Sequence, residues 1–274
     1  YRQILTYLKR SGSDQTVALN SDVLVNIDLN QVFHLHNTTE QKVTVVYKKL
    51  PKELISDVNS ILEIDESDKV LSHELFQGGD KEAYNMSTDI FVVDTPFLIE
   101  KLEEEAAKEE PRKLRYVLRD LAVAENAFAY EYTGYLSNIH SVKAYFDANL
   151  DMLESHKFYK LFAPNQKVYT KVKNEEPTYY SDSSEVKLSQ FASGSIVRGK
   201  VENSMISRNV DFSEGSSVSH SIIFPRVKVA KGATVEYAIV DKGVEIAEGV
   251  TVRGTENNPV IIKKGSVVTE DIVR

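Results

Sequence analysis

Two hydrophobic patterns divide this chain. In the first, short β-branched runs alternate with segments in which apolar residues recur at helical spacing. Strand-like runs occupy residues 15–22, 42–50 and 127–135, and a strand followed by a charged helix occupies 86–110. Helical spacing is found at residues 1–12, 30–41, 114–126 and 141–154. This alternation predicts a Rossmann-like α/β domain with a mostly parallel sheet.

The second pattern begins near residue 190, where Gly, Ser and Val dominate and helical spacing is lost. Gly215, Gly232 and Gly249 are spaced by 17 residues. Apolar residues also recur at steps of five or six, three steps to each 17-residue interval, at Phe212, Val218, Ile223, Val229, Val235, Val240, Ile246 and Val252. A step near six, three times per circuit, predicts a left-handed parallel β-helix of the hexapeptide type.

These patterns give the expected domain organisation. Residues 1–160 form the α/β domain, 161–190 form a linker that leads into the solenoid, and 191–274 form a β-helix of about four 17-residue coils. The chain begins without Met and inside an amphipathic helix pattern. We therefore expect that an N-terminal part of the α/β domain is absent from this sequence.

Composition narrows the possible partners. The 274 residues carry a formal net charge of −8, which argues against a nucleic-acid backbone or an anionic membrane as the main partner. There is no Cys, so disulfides, thiolate zinc sites and cysteine nucleophiles are excluded. No apolar run approaches the length of a membrane span and no signal peptide is visible, so the cytoplasm is the expected location.

Three segments carry a resemblance to a known enzyme family. Residues 20–36 (NSDVLVNIDLNQVFHLH), 87–105 (STDIFVVDTPFLIEKLEEE) and 134–153 (GYLSNIHSVKAYFDANLDML) resemble, in the same order, three motifs of glucose-1-phosphate adenylyltransferase (ADP-glucose pyrophosphorylase). The resemblance implies a nucleotidyltransferase domain followed by a β-helix. It also implies a family reaction in which ATP and glucose 1-phosphate give ADP-glucose and pyrophosphate, assisted by Mg²⁺ bound to carboxylates.

The residues that match the family's site are altered. Asp22 matches the first metal-binding Asp, but the second falls on Asn138, which has an oxygen ligand without a charge. Ser87 keeps a sugar-contact position, whereas Asp89 stands where the family has Gly. Because Asp adds a side chain and a negative charge there, we expect it to obstruct an anionic substrate.

Two further family motifs have lost their charged residues. The Glu-Lys-Pro motif that holds the sugar phosphate aligns with residues 75–77 (LFQ), and the Asp-Phe-Gly motif aligns with 116–118 (YVL). The family's Gly-rich nucleotide loop has no counterpart in this sequence. We therefore expect that no catalytic residue set is intact and that Mg²⁺ is bound poorly, with Asp22 as its only carboxylate ligand.

The resemblance therefore favours a regulatory or structural subunit that modulates a catalytic ADP-glucose pyrophosphorylase subunit. The family implies a homo- or hetero-oligomer, a tetramer by expectation, and a sugar-phosphate effector that basic residues such as Arg208 and Arg226 could bind. Two alternatives remain open. A weakly active adenylyltransferase could use Asp22 with Asp28, and a hexapeptide-repeat acyltransferase would need a base, for which His220 is the candidate.

Overall fold

A computed structural model describes residues 1–162, 168–171 and 173–274, and it divides into two compact units, Tyr1–His140 and Ser141–Arg274. The division lies earlier than the expected boundary at residue 160. Part of the expected linker, residues 163–167 and 172, lies outside the described residues. Within the described residues, no helix is long and apolar enough to cross a membrane.

The first unit contains four helices and eight strands. The helices are α1 Arg2–Ser11, α2 Leu29–Thr38, α3 Thr95–Ala106 and α4 Leu114–Ala124, with a short 3₁₀ helix at Lys52–Leu54. The strands are β1 Gln15–Ala18, β2 Val23–Val25, β3 Val43–Pro51, β4 Ser60–Ile64, β5 Val70–Leu75, β6 Ala83–Asp94, β7 Phe128–Glu131 and β8 Leu136–Asn138. The helices and strands read from the hydrophobic pattern are confirmed in this order.

The main sheet has the order β5-β4-β6-β3-β7, with β1 added on β6, while β2 and β8 form a separate antiparallel pair. The expectation of a mostly parallel sheet is wrong, because β3 with β7 is the single parallel pair among the described strands of this unit. The connections from β3 through β4 and β5 to β6 are short, whereas a parallel pair needs a crossover of a dozen residues or more. Residues 51–85 contain β4 and β5, which pair antiparallel with each other, and β4 also pairs antiparallel with β6.

Alternation along β3 and β6 gives this sheet two apolar faces. One face, with Val45 and Phe91, packs with Leu98 and Leu102 of α3 and Val117 of α4 in one buried cluster. The opposite face packs in a second cluster with Val32 of α2. Helices therefore cover both faces of the sheet in this unit.

Among its described residues, the second unit has two α-helices, α5 Val142–Leu150 and α6 Ser155–Leu161, a 3₁₀ helix at Asp151–Leu153 and a three-sided parallel solenoid. The first side contains β9 Tyr179–Tyr180, β12 Ile196–Val197, β15 Asp211–Phe212, β18 Lys228–Val229, β21 Glu245–Ile246 and β24 Val267–Val268. The second contains β10 Glu185–Lys187, β13 Lys200–Glu202, β16 Ser217–Ser219, β19 Thr234–Glu236, β22 Thr251–Arg253 and β25 Ile272–Val273. The third contains β11 Gln190–Phe191, β14 Met205–Ile206, β17 Ile222–Ile223, β20 Ala238–Val240 and β23 Val260–Ile262.

This is the expected parallel β-helix of the hexapeptide type, and it has about six coils rather than four. The 17-residue interval holds in the central coils, where Val201, Val218 and Val235 are register partners. The first coil is shorter, with Val186 paired to Val201, and the last is longer, with Ile246 paired to Val268. A search for a 17-residue period therefore finds the middle of the solenoid and misses its ends.

The solenoid is stabilised by stacked aliphatic side chains on its axis. Val201, Val218, Val235 and Val252 form one fully buried column on the second side. Gly215, Gly232 and Gly249 lie at equivalent corners with φ of 70°, 69° and 72°, a left-handed conformation that Gly adopts without a Cβ penalty. Each coil thus repeats the same environment, so the same residue types recur in the sequence.

Helix α5 belongs to this second unit. Its N-cap is Ser141, whose hydroxyl accepts a hydrogen bond from the Ala144 amide at 3.1 Å. Phe146 is buried against Ile222 and Ile239, which project outward from the third side of the solenoid. This apolar contact ties α5 to the β-helix within the second unit.

Candidate functional site

Three of the residues matched to the family's site, Asp22, Ser87 and Asp89, line a small cavity in the first unit. We call it the remnant pocket; it has a volume of about 50 Å³ and is lined by Asn20, Asp22, Val23, Val58, Asn59, Ser60, Ser87, Thr88, Asp89, Arg115, Arg119 and His140. Ligand pockets for small molecules are typically about 300–1,000 Å³. The remnant pocket therefore has room for water-sized molecules and not for a sugar phosphate.

A buried ion pair fills the centre of the remnant pocket. The Arg119 guanidinium donates from Nε to Asp89 Oδ1 at 3.1 Å and from an Nη to Asp89 Oδ2 at 2.7 Å. Both side chains are more than nine-tenths buried. A two-pronged contact of this kind is the geometry in which Arg binds carboxylates and phosphates most strongly.

Local backbone structure aims Asp89 at this partner. The pairing of β3 with β6 shifts register between Val46 and Tyr47, so residues 88 and 89 form a bulge in β6. Asp89 has a φ of +53°, in the left-handed region that is uncommon for residues other than Gly, Asn and Asp. Its amide donates to the Ser87 hydroxyl at 3.2 Å. The bulge thus places the Asp89 carboxylate in the lining of the remnant pocket.

A second arginine links the two acidic residues of the pocket. Arg115 lies one turn before Arg119 on α4, and one of its Nη atoms is 3.4 Å from Asp22 and 3.7 Å from Asp89. Asp22 precedes β2 and its side chain is about half exposed. Two carboxylates and two guanidinium groups therefore neutralise each other within the remnant pocket.

His73 borders this ion pair from β5. Its Nε2 is 2.9 Å from the Ser60 hydroxyl and 3.9 Å from Asp89, and its ring stacks on Phe91. Burial lowers the pKa of His73 to about 4, although the nearby Asp89 acts in the opposite direction. Its Nδ1 is buried and has no hydrogen-bond partner among the described residues. His73 is therefore neutral at pH 7 and adds no positive charge for a phosphate.

Asn138, which matches the second metal-binding position, has a structural role. Its amide nitrogen donates to the Leu54 carbonyl at 2.9 Å and to the Asn59 side-chain oxygen at 2.8 Å, while its own oxygen accepts from the Asn59 amide at 3.2 Å. Asn138 is buried. All three contacts join the β8 end to the 54–59 loop, and two of them need an amide donor that a carboxylate lacks.

Other positions of the family's site are now part of the hydrophobic core. Phe76, in the segment matched to the sugar-phosphate motif, is buried with Leu50 and Met86. Val117, in the segment matched to Asp-Phe-Gly, is buried on the inner face of α4. Asp28, the carboxylate of the weak-enzyme alternative, caps α2 by accepting from the Asn30 amide at 3.0 Å. Each side chain has a structural partner in place of a substrate.

The donor atoms present do not fit the Mg²⁺ ion of the family. Mg²⁺ requires a near-octahedral set of oxygen ligands. Of the two positions matched to the family's metal ligands, Asp22 and Asn138, only Asp22 carries a carboxylate, and the Arg115 guanidinium lies next to it. In the described part of the chain, no three His, Asp or Glu side chains converge to hold a metal ion.

The candidates in the solenoid lie at its corners. The Arg226 amide donates to the Arg208 carbonyl at 3.1 Å, so the two backbones are in adjacent coils. Their side chains differ: Arg208 Nε is 3.7 Å from a Glu175 oxygen, whereas Arg226 is exposed at a φ of +61°. His220 stacks face to face on Tyr237 of the next coil, with a ring separation of 4.8 Å.

Sequence reasoning missed the residues that define the remnant pocket. Arg115, Arg119 and His73 match no family motif, so the resemblance did not select them. The signal that was available is Arg119 itself, because it lies among the apolar residues of the amphipathic helix α4 rather than on its polar face. A charged residue on a buried helix face needs a charged or polar partner.

Comparisons with known proteins give the family of this chain and support the hexapeptide solenoid. The family described as "GlmU-like, C-terminal hexapeptide" matches residues 174–273. The glycogen biosynthesis protein GlgD of Bacillus subtilis is 30% identical over 266 residues, which cover 97% of this chain and 67% of that protein. The chain belongs to the GlgD family. A second GlgD protein, from Geobacillus stearothermophilus, is 53% identical over 127 residues, 46% of this chain and 37% of that protein.

The GlgD family is itself related to an enzyme family. The glucose-1-phosphate adenylyltransferase of Thermosipho africanus is 24% identical over 228 residues, which cover 80% of this chain and 53% of the enzyme. The resemblance to this enzyme family is therefore confirmed, together with the likeness to its GlgD relatives. Some relatives align with most of this chain. The chain spans about half to two thirds of the length of those relatives.

Proposed function

We propose that this GlgD-family chain is a regulatory subunit in glycogen synthesis, and that it modulates a catalytic glucose-1-phosphate adenylyltransferase without turning over substrate itself. Two GlgD proteins among its relatives are named for glycogen biosynthesis, and other relatives are named as the adenylyltransferase. The chain keeps the order of the enzyme's motifs and has lost the chemistry of the site. A subunit with this combination acts through its partner.

The observation that carries the proposal is the ion pair between Asp89 and Arg119. Substrate binding would require a sugar phosphate to displace a carboxylate that is already held by two hydrogen bonds within a pocket of about 50 Å³. Displacement would leave a buried carboxylate without its partner, which typically costs about 3–5 kcal/mol. The remnant pocket is therefore built for structure and not for turnover.

The same proposal includes a catalytic partner subunit and an anionic effector. A catalytic adenylyltransferase subunit is the proposed partner, in a hetero-oligomer for which a tetramer is the expected form. The β-helix gives a rigid surface for such packing, because its strands pair through nearly all of its length. Exposed Arg226 is the proposed contact for an anionic effector, since Arg208 already faces Glu175.

An assay of pyrophosphate release tests the proposal. Purified protein with ATP, glucose 1-phosphate and Mg²⁺ is expected to give no rate above background, whereas addition to a catalytic adenylyltransferase subunit is expected to change that subunit's KM or kcat. Native mass measurement of the mixture gives the stoichiometry. Robust turnover by the protein alone would contradict the proposal and support the weakly active enzyme. An unchanged catalytic subunit would contradict the regulatory role.

A further inference from the structure

A cleft lies beside α5 on the third side of the solenoid. We call it the α5 cleft; it has a volume of about 360 Å³, and all of its lining residues belong to the second unit. Binding sites for small molecules typically have volumes of about 300–1,000 Å³. The α5 cleft is therefore large enough for a ligand, whereas the remnant pocket, with about 50 Å³, is not.

The cleft results from a change of side-chain size along one outward-facing column of the solenoid. Ala192, Ser207 and Phe224 directly follow the paired strands β11, β14 and β17 in three successive coils. The first two of these side chains are small and the third is large. This step leaves a space that Tyr145 and Asn149 of α5 also border.

The lining of the cleft is neutral. None of the described residues that form it carries a charge, and its apolar surface comes in part from Met205, Ile222 and Phe224. A phosphate or carboxylate group that entered the cleft would lose hydration without gaining a counter-charge. The lining therefore favours an uncharged ligand and excludes a sugar phosphate.

Four polar side chains of the lining have unused hydrogen-bonding capacity. In the described part of the chain, the Tyr145 and Ser207 hydroxyls and the Gln190 amide make no side-chain hydrogen bond. The Asn149 amide nitrogen donates to the Tyr145 carbonyl at 2.8 Å, which leaves its side-chain oxygen as an acceptor. These groups come from α5 and from two coils, so neutral donors and acceptors are distributed around the cleft.

We propose that the α5 cleft binds a neutral oligosaccharide of α-linked glucose. A pyranose ring has an apolar C–H face and a rim of hydroxyls, so it matches aromatic and aliphatic surface surrounded by neutral donors and acceptors. The choice of glucose as the unit rests on the role in glycogen synthesis proposed above, whereas the neutral-sugar chemistry rests on the cleft itself. The site goes beyond that role, because it requires neither a partner subunit nor turnover.

A calorimetric titration of the unmodified protein with maltotetraose tests the proposal. Adenosine is the comparison ligand, because it is also uncharged but presents a flat aromatic base. We expect saturable binding of maltotetraose with a dissociation constant of about 1 mM or tighter, and no saturable binding of adenosine at the same concentrations. Absence of maltotetraose binding, with or without binding of adenosine, would overturn the proposal. Since no catalytic subunit is present, this result is independent of the pyrophosphate assay.

A variant that fills the cleft locates the binding. Ser207→Phe introduces the side chain that the next coil carries at Phe224, so the solenoid can accommodate it. We expect maltotetraose to bind at least about tenfold more weakly, because the added ring occupies the ligand's space. Ser217→Phe, at a half-buried outward position on the second side, is the matched control and is expected to retain full affinity. Equal affinities of the two folded variants would overturn the proposal.

A second variant removes a hydrogen-bonding group in place of space. Gln190→Ala is expected to weaken maltotetraose binding about three- to tenfold, whereas Gln3→Ala on α1 is expected to leave it unchanged. Gln190 is exposed, so its replacement should not move the urea unfolding midpoint. If Ser207→Phe fails to fold, an unchanged affinity in Gln190→Ala overturns the proposal in its place.

Discussion

The β-helix and the remnant pocket follow opposite designs. In the β-helix, each coil repeats the same apolar environment, and the column through Val201, Val218 and Val235 is identical from one coil to the next. In the remnant pocket, Arg119 and Asp89 are joined by two hydrogen bonds, and Asn138 nearby makes specific hydrogen bonds to Leu54 and Asn59. The first region is stabilised by summed burial and the second by a few directed contacts.

Positions matched to the enzyme family's site illustrate this difference. Phe76 and Val117 are buried in the core, and Asp89 pairs with a buried arginine. Asn138 has backbone and side-chain partners in the 54–59 loop. Each of these side chains therefore has its neighbours within the chain itself.

The largest expected effect comes from a substitution in the β-helix. Val235→Asp places an unpaired carboxylate on the fully buried axis of the solenoid, and we expect a loss of at least about 4 kcal/mol in the free energy of unfolding. Val267→Asp, at an exposed position of the last coil, is the matched control and is expected to stay within about 0.5 kcal/mol. Urea unfolding measures both. Equal losses would show that the axial column is not the source of stability.

The next largest effect is expected from a substitution in the remnant pocket. Arg119→Met removes one partner of the buried pair and leaves Asp89 uncompensated, so we expect a loss of about 3–5 kcal/mol in urea unfolding. Arg115→Met, one turn earlier on α4 and partly exposed, is expected to cost less than about 1 kcal/mol. A small effect of Arg119→Met would mean that the ion pair does not hold the pocket together.

The stability of the first unit is expected to depend on pH through the buried His73. Burial lowers the pKa of His73 from about 6.5 to about 4. Between these pH values, the imidazole is therefore protonated in the unfolded state and neutral in the folded state. Stability is therefore fully present above pH 6.5 and falls as the pH approaches 4, by on the order of 3 kcal/mol. His73→Gln is expected to flatten this part of the unfolding profile. Exposed His156→Gln should leave the profile unchanged, and a flattened profile in that control would refute the assignment.

The smallest expected effect comes from Asn138→Asp, which restores the Asp of the matched family motif. Asn138→Asp replaces an amide donor by a carboxylate beside the Leu54 carbonyl, and we expect a loss of about 1–3 kcal/mol in the free energy of unfolding, with no gain in pyrophosphate release. Asn257→Asp, in an exposed turn, is the control for the same substitution. A stable and active Asn138→Asp protein would show that the site is damaged rather than rebuilt.

The two regions also differ in how far sequence predicts them. The 17-residue interval revealed the solenoid, because a repeated environment selects repeated residues, but it missed the end coils that pair Val186 with Val201 and Ile246 with Val268. The mixed sheet was missed because pairing direction depends on connections within residues 51–85. The resemblance located Asp22, Ser87, Asp89 and Asn138, and the structure places them around or beside one small region.

The sequence does not show which side chains contact each other once the chain is folded. Asp89 and Arg119 are 30 residues apart and lie on a strand bulge and a helix, so no local pattern joins them. The same holds for Asn138 with Leu54 and Asn59. Loss of family residues predicted an inactive site, but the replacement of ligand contacts by internal contacts becomes visible only when the chain is folded.

The central claim is that the remnant pocket is closed to sugar phosphates by the chain's own ion pair. The most direct test is a calorimetric titration of the unmodified protein with glucose 1-phosphate in the presence of Mg²⁺. We predict no saturable binding at millimolar concentrations, because the carboxylate of Asp89 already holds Arg119 in a cavity of about 50 Å³. Saturable binding that depends on Mg²⁺ and is lost in Asp22→Asn would contradict the account.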